Sequence, residues 1–463
     1  MTGSLRGLVR GGGGLGLALA CLGAPLLGQD TTRPVEQGVR IGITYTPGLR
    51  PGMLVLGAER TEFLDSVRTI LQRDLDYSDR FEMITLPGGE SLMVAVAPLT
   101  QRADTREPVS GGAAGFVNYG LYEALGADYA VSVRAVPDTP AVVTVYDVRG
   151  RQSRRSLTLR TGALDGPEAR LAIHRLSDDV VRAAAGAPGI AATRLLVIQS
   201  GRVHRIDPDG ADALPVSPAG DSTMSPTWAP DGRRAVYMQF TGGQGRLYVH
   251  DIVSSRRELV RPTAQYMNYS PAFSPDGRLL AFARLGDDGS HLYIYNIAEN
   301  CCLQRLTAGG FSDNLSPTFS PDGRRVAFTS TRPGTPQIYV MSSDGTGQEL
   351  FAPFDYGVTG SSYAPEWSPD GLNIAFHRDV AGTPQVFVMD VASRRVRQLT
   401  SAGRNEDPTW APDGRHLAFV STRTGSRQVW IIDLDTGRVR QLTRLGEARL
   451  PAWSPRIAEG SNP

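Results

Sequence analysis

SPTFSPDGRRVAFTS, residues 316–330, reads as two short strands around a Pro-Asp-Gly corner. Proline presets φ for the first corner of a type I turn and glycine tolerates the left-handed position after it, so the stretch predicts a tight hairpin. Nearly the same residues recur as SPTWAPDGRRAVY from Ser225, SPAFSPDGRLLAF from Ser270, APEWSPDGLNIAF from Ala364 and DPTWAPDGRHLAF from Asp407. The turn aspartates stand at 231, 276, 322, 370 and 413, and a shortened copy, LPAWSP, begins at Leu450. A period in the forties belongs to propeller blades.

Each copy continues with a third strand, such as Gln337–Met341 or Gln385–Asp390, and a fourth, such as Arg397–Thr400. Four antiparallel strands with two apolar faces bury them only by packing around an axis. Ahead of the first full motif stand three strand-like stretches without a motif strand: Leu195–Gln199, Arg202–Ile206 and Ala213–Val216. The simplest ring gives them the inner strand at Ala452–Ser454, so that five complete copies and one blade shared by both ends make six.

Residues 29–190 have a different pattern. Val39–Thr44 alternates as a strand, and Thr61–Leu75 has apolar residues at helical spacing. A second helix is expected at Tyr119–Leu125, stopped by Gly126, and a long one at Pro167–Ala185, starting near Asp165 or Gly166. Ala130–Val136, Val142–Val148 and Ser156–Arg160 read as strands, and Thr100–Gly115 as a loop. The fold class expected is therefore an α/β N-terminal domain followed by an all-β six-bladed propeller at 191–463.

Residues 1–28 have the layout of a secretory signal peptide: Arg6 and Arg10, then an uncharged run to Gly28. A membrane anchor and lipidation at Cys21 are the alternatives. The formal net charge of +1 gives no footprint for nucleic acid, and every basic side chain among the 48 is arginine. Cys301 and Cys302 are adjacent. Two buried or inert thiols, or a rigidified turn, are expected there, with a strained vicinal disulfide as the alternative.

Catalytic chemistry finds little support. A propeller that gates a serine peptidase would accompany a G-x-S-x-G elbow, and the chain contains none. His174, His204, His250, His291, His377 and His416 have no metal-binding spacing. Two acidic turns, Asp207–Gly210 and Asp433–Gly437, invite calcium but lack the later glutamate of an EF-hand loop. The expectation is no catalytic residue, no metal and no cofactor, with calcium as the alternative. An exported propeller binding a carbohydrate or small molecule remains the other functional class.

The chain resembles the TolB family in Val39-Arg40-Ile41, Asp74-Leu75 with Ser78 and Phe81, Leu125-Gly126-Ala127-Asp128, His174 with Ser177-Asp178, Gly189-Ile190, Thr193-Arg194 and Pro451–Pro455. It departs where the family has glycine at position 79, here Asp79, and in a longer segment from Gln29 to Gly38. The resemblance implies a monomeric, non-catalytic periplasmic component of a Tol-Pal system. The propeller would bind the lipoprotein Pal, and the N-terminal segment, with Val39, Arg40 and Ile41, would bind TolA. Such a component supports outer-membrane integrity and constriction in division.

In a propeller the A-to-B and C-to-D turns share one face, and the D-to-A crossings and B-to-C turns share the other. The crossings differ from one another while the flanking motif repeats, as expected of loops that face solvent or a partner. Tyr266, Met267, Asn268, Asp313, Asn314, Leu315, Ser362, Tyr363, Arg404, Glu406 and Arg449 are the candidate contacts for Pal.

Overall fold

The structure is a computed structural model that describes residues 50–57, 61–85, 117–161, 165–352, 360–444 and 446–457, all within one compact unit. The expected strand at Val39–Thr44, the loop at Thr100–Gly115, the signal segment and the three TolA candidates Val39, Arg40 and Ile41 lie outside the described residues.

The α/β part is a five-stranded sheet with three helices. Its elements are β1 (Gly52–Gly57), α1 (Glu62–Tyr77), β2 (Glu82–Met83), α2 (Tyr119–Ala124), β3 (Tyr129–Val136), β4 (Thr139–Asp147), β5 (Gln152–Thr158) and α3 (Gly166–Ala185). The strand order is β2-β1-β3-β4-β5, with β1 parallel to its neighbours and the rest antiparallel. Thr61 caps α1 through its hydroxyl, and Gly126 (φ 84°) and Gly186 (φ 80°) take the left-handed positions that end α2 and α3. Leu64, Val67, Leu71 and Leu75 of α1 meet Ile173, Leu176 and Val180 of α3 over one face of the sheet. The strand at Gly52–Gly57, an uninterrupted apolar run between glycines without alternation, is not among the strands expected from the sequence, and the strand expected at Ser156–Arg160 is corrected: β5 begins four residues before Ser156 and ends at Thr158.

Six four-stranded sheets follow. Five are sequential, at residues 222–259, 268–305, 314–350, 362–398 and 405–441, and the sixth pairs Ala448–Trp453 with Leu195–Gln199, Arg202–Ile206 and Leu214–Pro215. Each hairpin is tied by its aspartate in one of two ways. Where serine precedes Pro-Asp-Gly, its hydroxyl donates to the aspartate at 2.5 Å and accepts a backbone N–H five residues on, as in Ser274, Ser320 and Ser368. Where alanine stands there, Asp231 and Asp413 each accept two consecutive N–H groups instead. The Ser/Ala alternation of the motif is thus one turn closed by two equivalent hydrogen-bond sets.

Each inner strand breaks register at one place. The residue before its proline has a left-handed backbone: Ser225, Ser270, Ser316, Ala364, Asp407 and Leu450 all have φ between 48° and 52°. A non-glycine residue there costs roughly 1 kcal/mol. The bulge accommodates a proline that has no N–H to give to the ladder, on an edge strand where none is needed.

The aromatic that closes each inner strand fills a joint between blades. Phe273, Phe319, Trp367, Trp410, Trp453 and Trp228 are at most 8% exposed and belong to six separate apolar clusters, one at each joint. Polar side chains add links: Trp367 N–H donates to Thr318, Trp410 N–H to Glu366, Trp453 N–H to Thr409, and Trp228 Nε1 to Ala452 O. Trp453 also donates Nε1 to Thr193 Oγ1 at 2.8 Å, joining the two ends of the ring.

Cys301 and Cys302 form a vicinal disulfide on the outer strand of the second blade, with Cys302 exposed. This corrects the expectation of buried thiols. The outermost strand of a blade has no neighbour to cover it.

A chain ending at Gly446 would lack the sixth inner strand and the Trp453 anchor. It is expected to melt at least ~10 °C lower than the full chain, or to lose β-sheet circular dichroism, in line with the ~3–5 kcal/mol typical of deleting one buried aromatic. Superimposable melting curves would refute the shared blade.

Candidate functional site

The two faces of the propeller are unequal. The α/β part covers the face of the A-to-B and C-to-D turns, over the fifth and sixth blades, through buried charge. Asp79 accepts from Arg438 at 3.1 Å and lies 3.3 Å from His416 Nε2, while Arg415 donates to the Asp79 carbonyl at 2.9 Å. His416 Nδ1 is 2.7 Å from Asp413, and Arg415 pairs with Asp433. Arg438 reaches Asp76 as well, at 2.7 Å. Asp79 itself is left-handed, at φ 54°. That conformation favours glycine, and the buried ion pairs offset its cost for an aspartate.

A second network sits beside the first. His174 of α3 is held between Asp74 of α1 (2.7 Å) and Asp207 of the sixth blade (3.5 Å), and Arg170 bridges Asp207 and Asp209. Arg73 joins Asp209 at 3.1 Å. Asp74, His174 and Asp209 offer three ligand atoms within 4.8 Å of one another, enough for one ion. Asp209 already accepts from Arg73 and Arg170, and Asp74 Oδ2 lies 2.7 Å from His174 Nδ1. In the other acidic turn Asp433 and Asp435 face Arg415. Both turns singled out for calcium therefore have guanidinium partners.

Burial lowers the His174 imidazolium, but Asp74 and Asp207 outweigh it and raise the group to about 10. Burial likewise works against His416, which Asp413 and Asp79 raise to about 9. Asp178 is pushed up to about 7 by burial although it accepts the N–H groups of Ala191 and Ala192. A Cβ at Gly189 would lie 2.4 Å from its Oδ1, so glycine is required in this junction.

The opposite face carries the D-to-A crossings and the B-to-C turns of the blades. Its candidate contacts separate into two groups. Tyr266, Arg404 and Arg449 are exposed, and Met267, Asp313, Leu315, Tyr363 and Glu406 are partly so. Asn268, Asn314 and Ser362 are fully buried. Their burial corrects the reading of them as contacts. Asn268 donates to three carbonyls, Gly245, Thr263 and Tyr266, and accepts from Arg284. Asn314 accepts from Ser330 and Arg332, and Ser362 from Arg378. These side chains set the shape of the crossings.

Behind them runs a repeated device. Arg284, Arg332, Arg378 and Arg423 each bond the first residue of an inner strand and lie over an aromatic ring of their own blade, at 4.7 Å for Tyr293, Tyr339 and Trp430 and 5.1 Å for Phe376. A planar fork that stacks and donates sideways does this, and lysine does not. Phe311, 93% exposed at the tip of a crossing, and the half-exposed Phe240 and Leu285 at the B-to-C ends are not among the contacts expected from the sequence. An aromatic flanked by Gly309, Gly310 and Ser312 was the available signal.

A cavity of about 510 Å³ lies among the inner strands, lined by their prolines and by Glu366. Burial pushes Glu366 up to about 7 against the hydrogen bonds of Trp410 N–H and Thr409. The remaining histidines have local partners: His250 with Tyr237, His291 with Asp288, His377 with Asp407 N–H and His204 with the Arg202 carbonyl. Among the described residues no helix is long and apolar enough to cross a membrane.

The TolB β-propeller domain family matches residues 185–353 and 356–459. Among characterised proteins, the Tol-Pal system protein TolB of Alkalilimnicola ehrlichii is 32% identical over 202 residues, 42% of this chain and 43% of that protein. That of Anaeromyxobacter sp. (strain K) is 35% identical over 160 residues, 33% and 36% of the two chains. The matched stretch is less than half the length of these relatives. The crystal structure of TolB from Acinetobacter baumannii superposes with a TM-score of 0.71 at 23% identity, covering 89% of this chain and 98% of that one, which establishes a common architecture.

The junction sets a pH dependence. Groups raised above the ordinary histidine value of about 6.5 contribute fully below it and lose that contribution as pH rises through 9 and 10. His416→Gln is expected to cost roughly 3 kcal/mol at pH 7 and much less at pH 10.5, read from urea unfolding at each pH. Stability curves that run parallel for the two proteins would show that the imidazolium is not the stabilising form.

Proposed function

The chain belongs to the family of TolB β-propeller proteins, and on that premise we propose that it is a non-catalytic component of a Tol-Pal system. Its propeller binds Pal, its N-terminal segment binds TolA, and it works in the periplasm as a monomer without cofactor. The assembly it serves supports outer-membrane integrity and constriction during division.

The observation that supports this reading is the asymmetry of the ring. One face is taken by the chain's own helices, through Asp79, His416 and His174. The other presents Tyr266, Phe311, Arg404 and Arg449 on crossings whose shape is held by buried Asn268, Asn314 and Ser362. Exposed aromatic and arginine side chains on rigid backbone are what a protein interface uses, because little entropy is lost when they dock.

Calorimetric titration of the protein with the periplasmic domain of Pal from the same organism tests it. Saturable binding is expected, weakened at least ~30-fold by combined Tyr266→Ala and Phe311→Ala substitution with unchanged melting. Absence of binding at high micromolar concentration would move the assignment to a propeller that binds a small ligand.

A further inference from the structure

The α/β sheet ends on an open strand. In the order β2-β1-β3-β4-β5, β5 pairs only with β4 among the described residues. Its first half is blunted in the usual way for an edge: Arg154 is bulged out of the ladder, bonds Asp147 and lies over Tyr129. Its second half is not blunted. Ser156, Leu157 and Thr158 follow in strand register without proline.

Leu159 donates its N–H to Ala141 across the ladder. Alternation in an antiparallel pair then turns the N–H and C=O groups of Ser156 and Thr158 outward. Beside this edge lies a groove of about 470 Å³, walled by residues 155–160 of the strand and by Ala172, Arg175, Leu176 and Asp179 of α3. Arg155 and Arg160 are exposed and have no carboxylate partner among the described residues. Asp179, the one acid of the groove, is paired with Arg182 at 2.6 Å.

We propose that this edge and groove form a second docking site, separate from the propeller face, that takes an extended acidic segment of a partner protein as a sixth strand. Main-chain hydrogen bonds to Ser156 and Thr158 supply the pairing, and Arg155 and Arg160, at the two ends of this edge, attract the carboxylates of the incoming strand. The groove wall from Arg155 to Arg160, roughly 20 Å of extended chain, accommodates a strand of ordinary length. The chain's own strand-like segment Val39–Thr44 carries Arg40 and no acid, so its charge does not match.

The probe is a ten-residue fluorescent peptide alternating Glu and Val, blocked at both ends, against the same peptide with Lys for Glu, titrated into the full chain by anisotropy. The Glu peptide is expected to bind at least ~10-fold tighter, with a preference that Arg155→Glu and Arg160→Glu together abolish. Thr158→Pro removes one outward N–H and leaves Arg155 and Arg160 in place, and it is expected to abolish binding. In the unsubstituted protein, hydrogen exchange should slow at Ser156 and Thr158 on peptide addition while Leu157 is unaffected. Equal binding of both peptides, no saturation, or binding without that amide protection would overturn the proposal.

Discussion

A twisted four-stranded sheet with apolar side chains on both faces is not stable alone in water, and every blade of this ring is such a sheet. The constraint is met only by circular packing, so the joint between blades is the unit of stability. Six aromatics, one at the end of each inner strand, fill those joints, and each buries on the order of 150–250 Å². The joints that contain the sixth blade differ in one respect: their two sides come from opposite ends of the repeat region. Trp453 packs there, bonded to Thr193, and the Ser454 hydroxyl accepts the Arg194 N–H. Through Thr193 and Arg194 the same joint reaches the segment that leaves α3, so closure of the ring and placement of the helices share a few residues.

Charge, in contrast, is concentrated where the α/β part meets the ring. Two imidazolium groups, His174 and His416, are each flanked by carboxylates contributed from both sides. Buried ion pairs are costly to desolvate and gain from geometry. Here the geometry is good: Asp79 is enclosed by Arg438, Arg50 and His416, and its carbonyl is bonded by Arg415. A left-handed aspartate is strained, and its ion pairs offset that strain. Such networks orient the helices more sharply than an apolar patch would, because each carboxylate has a specific partner.

The propeller was legible in the sequence because its turn chemistry is explicit. Pro-Asp-Gly at a fixed spacing, an aromatic before it and an alternating strand after it leave one architecture, and the orphan strands from Leu195 to Val216 imply the shared blade. The helices could be read from caps and periodicity. What could not be read was β1, whose continuous apolar run from Met53 to Leu56 carries no period, and the true extent of β5. At the site, exposure of Tyr266, Arg404 and Arg449 followed from their place in the crossings. Asn268 and Asn314 could not be sorted from them, since a side chain that caps its own loop and one that faces a partner have the same composition and differ only in where the amide points. Asp79 stood out in the sequence as a departure from the family, yet its role required seeing His416 and Arg438 in the fold.

The shared blade also has a temporal side. Leu195–Gln199 leaves the ribosome long before Ala448–Trp453, by roughly 10–50 s at ordinary elongation rates. During that interval an apolar strand has a vacant hydrogen-bonding edge and no legitimate partner, the condition under which strands pair wrongly with other chains. Closure of the ring waits for the strand at Ala448–Trp453, because the hydrogen-bonding edge of Leu195–Gln199 has its partner only then.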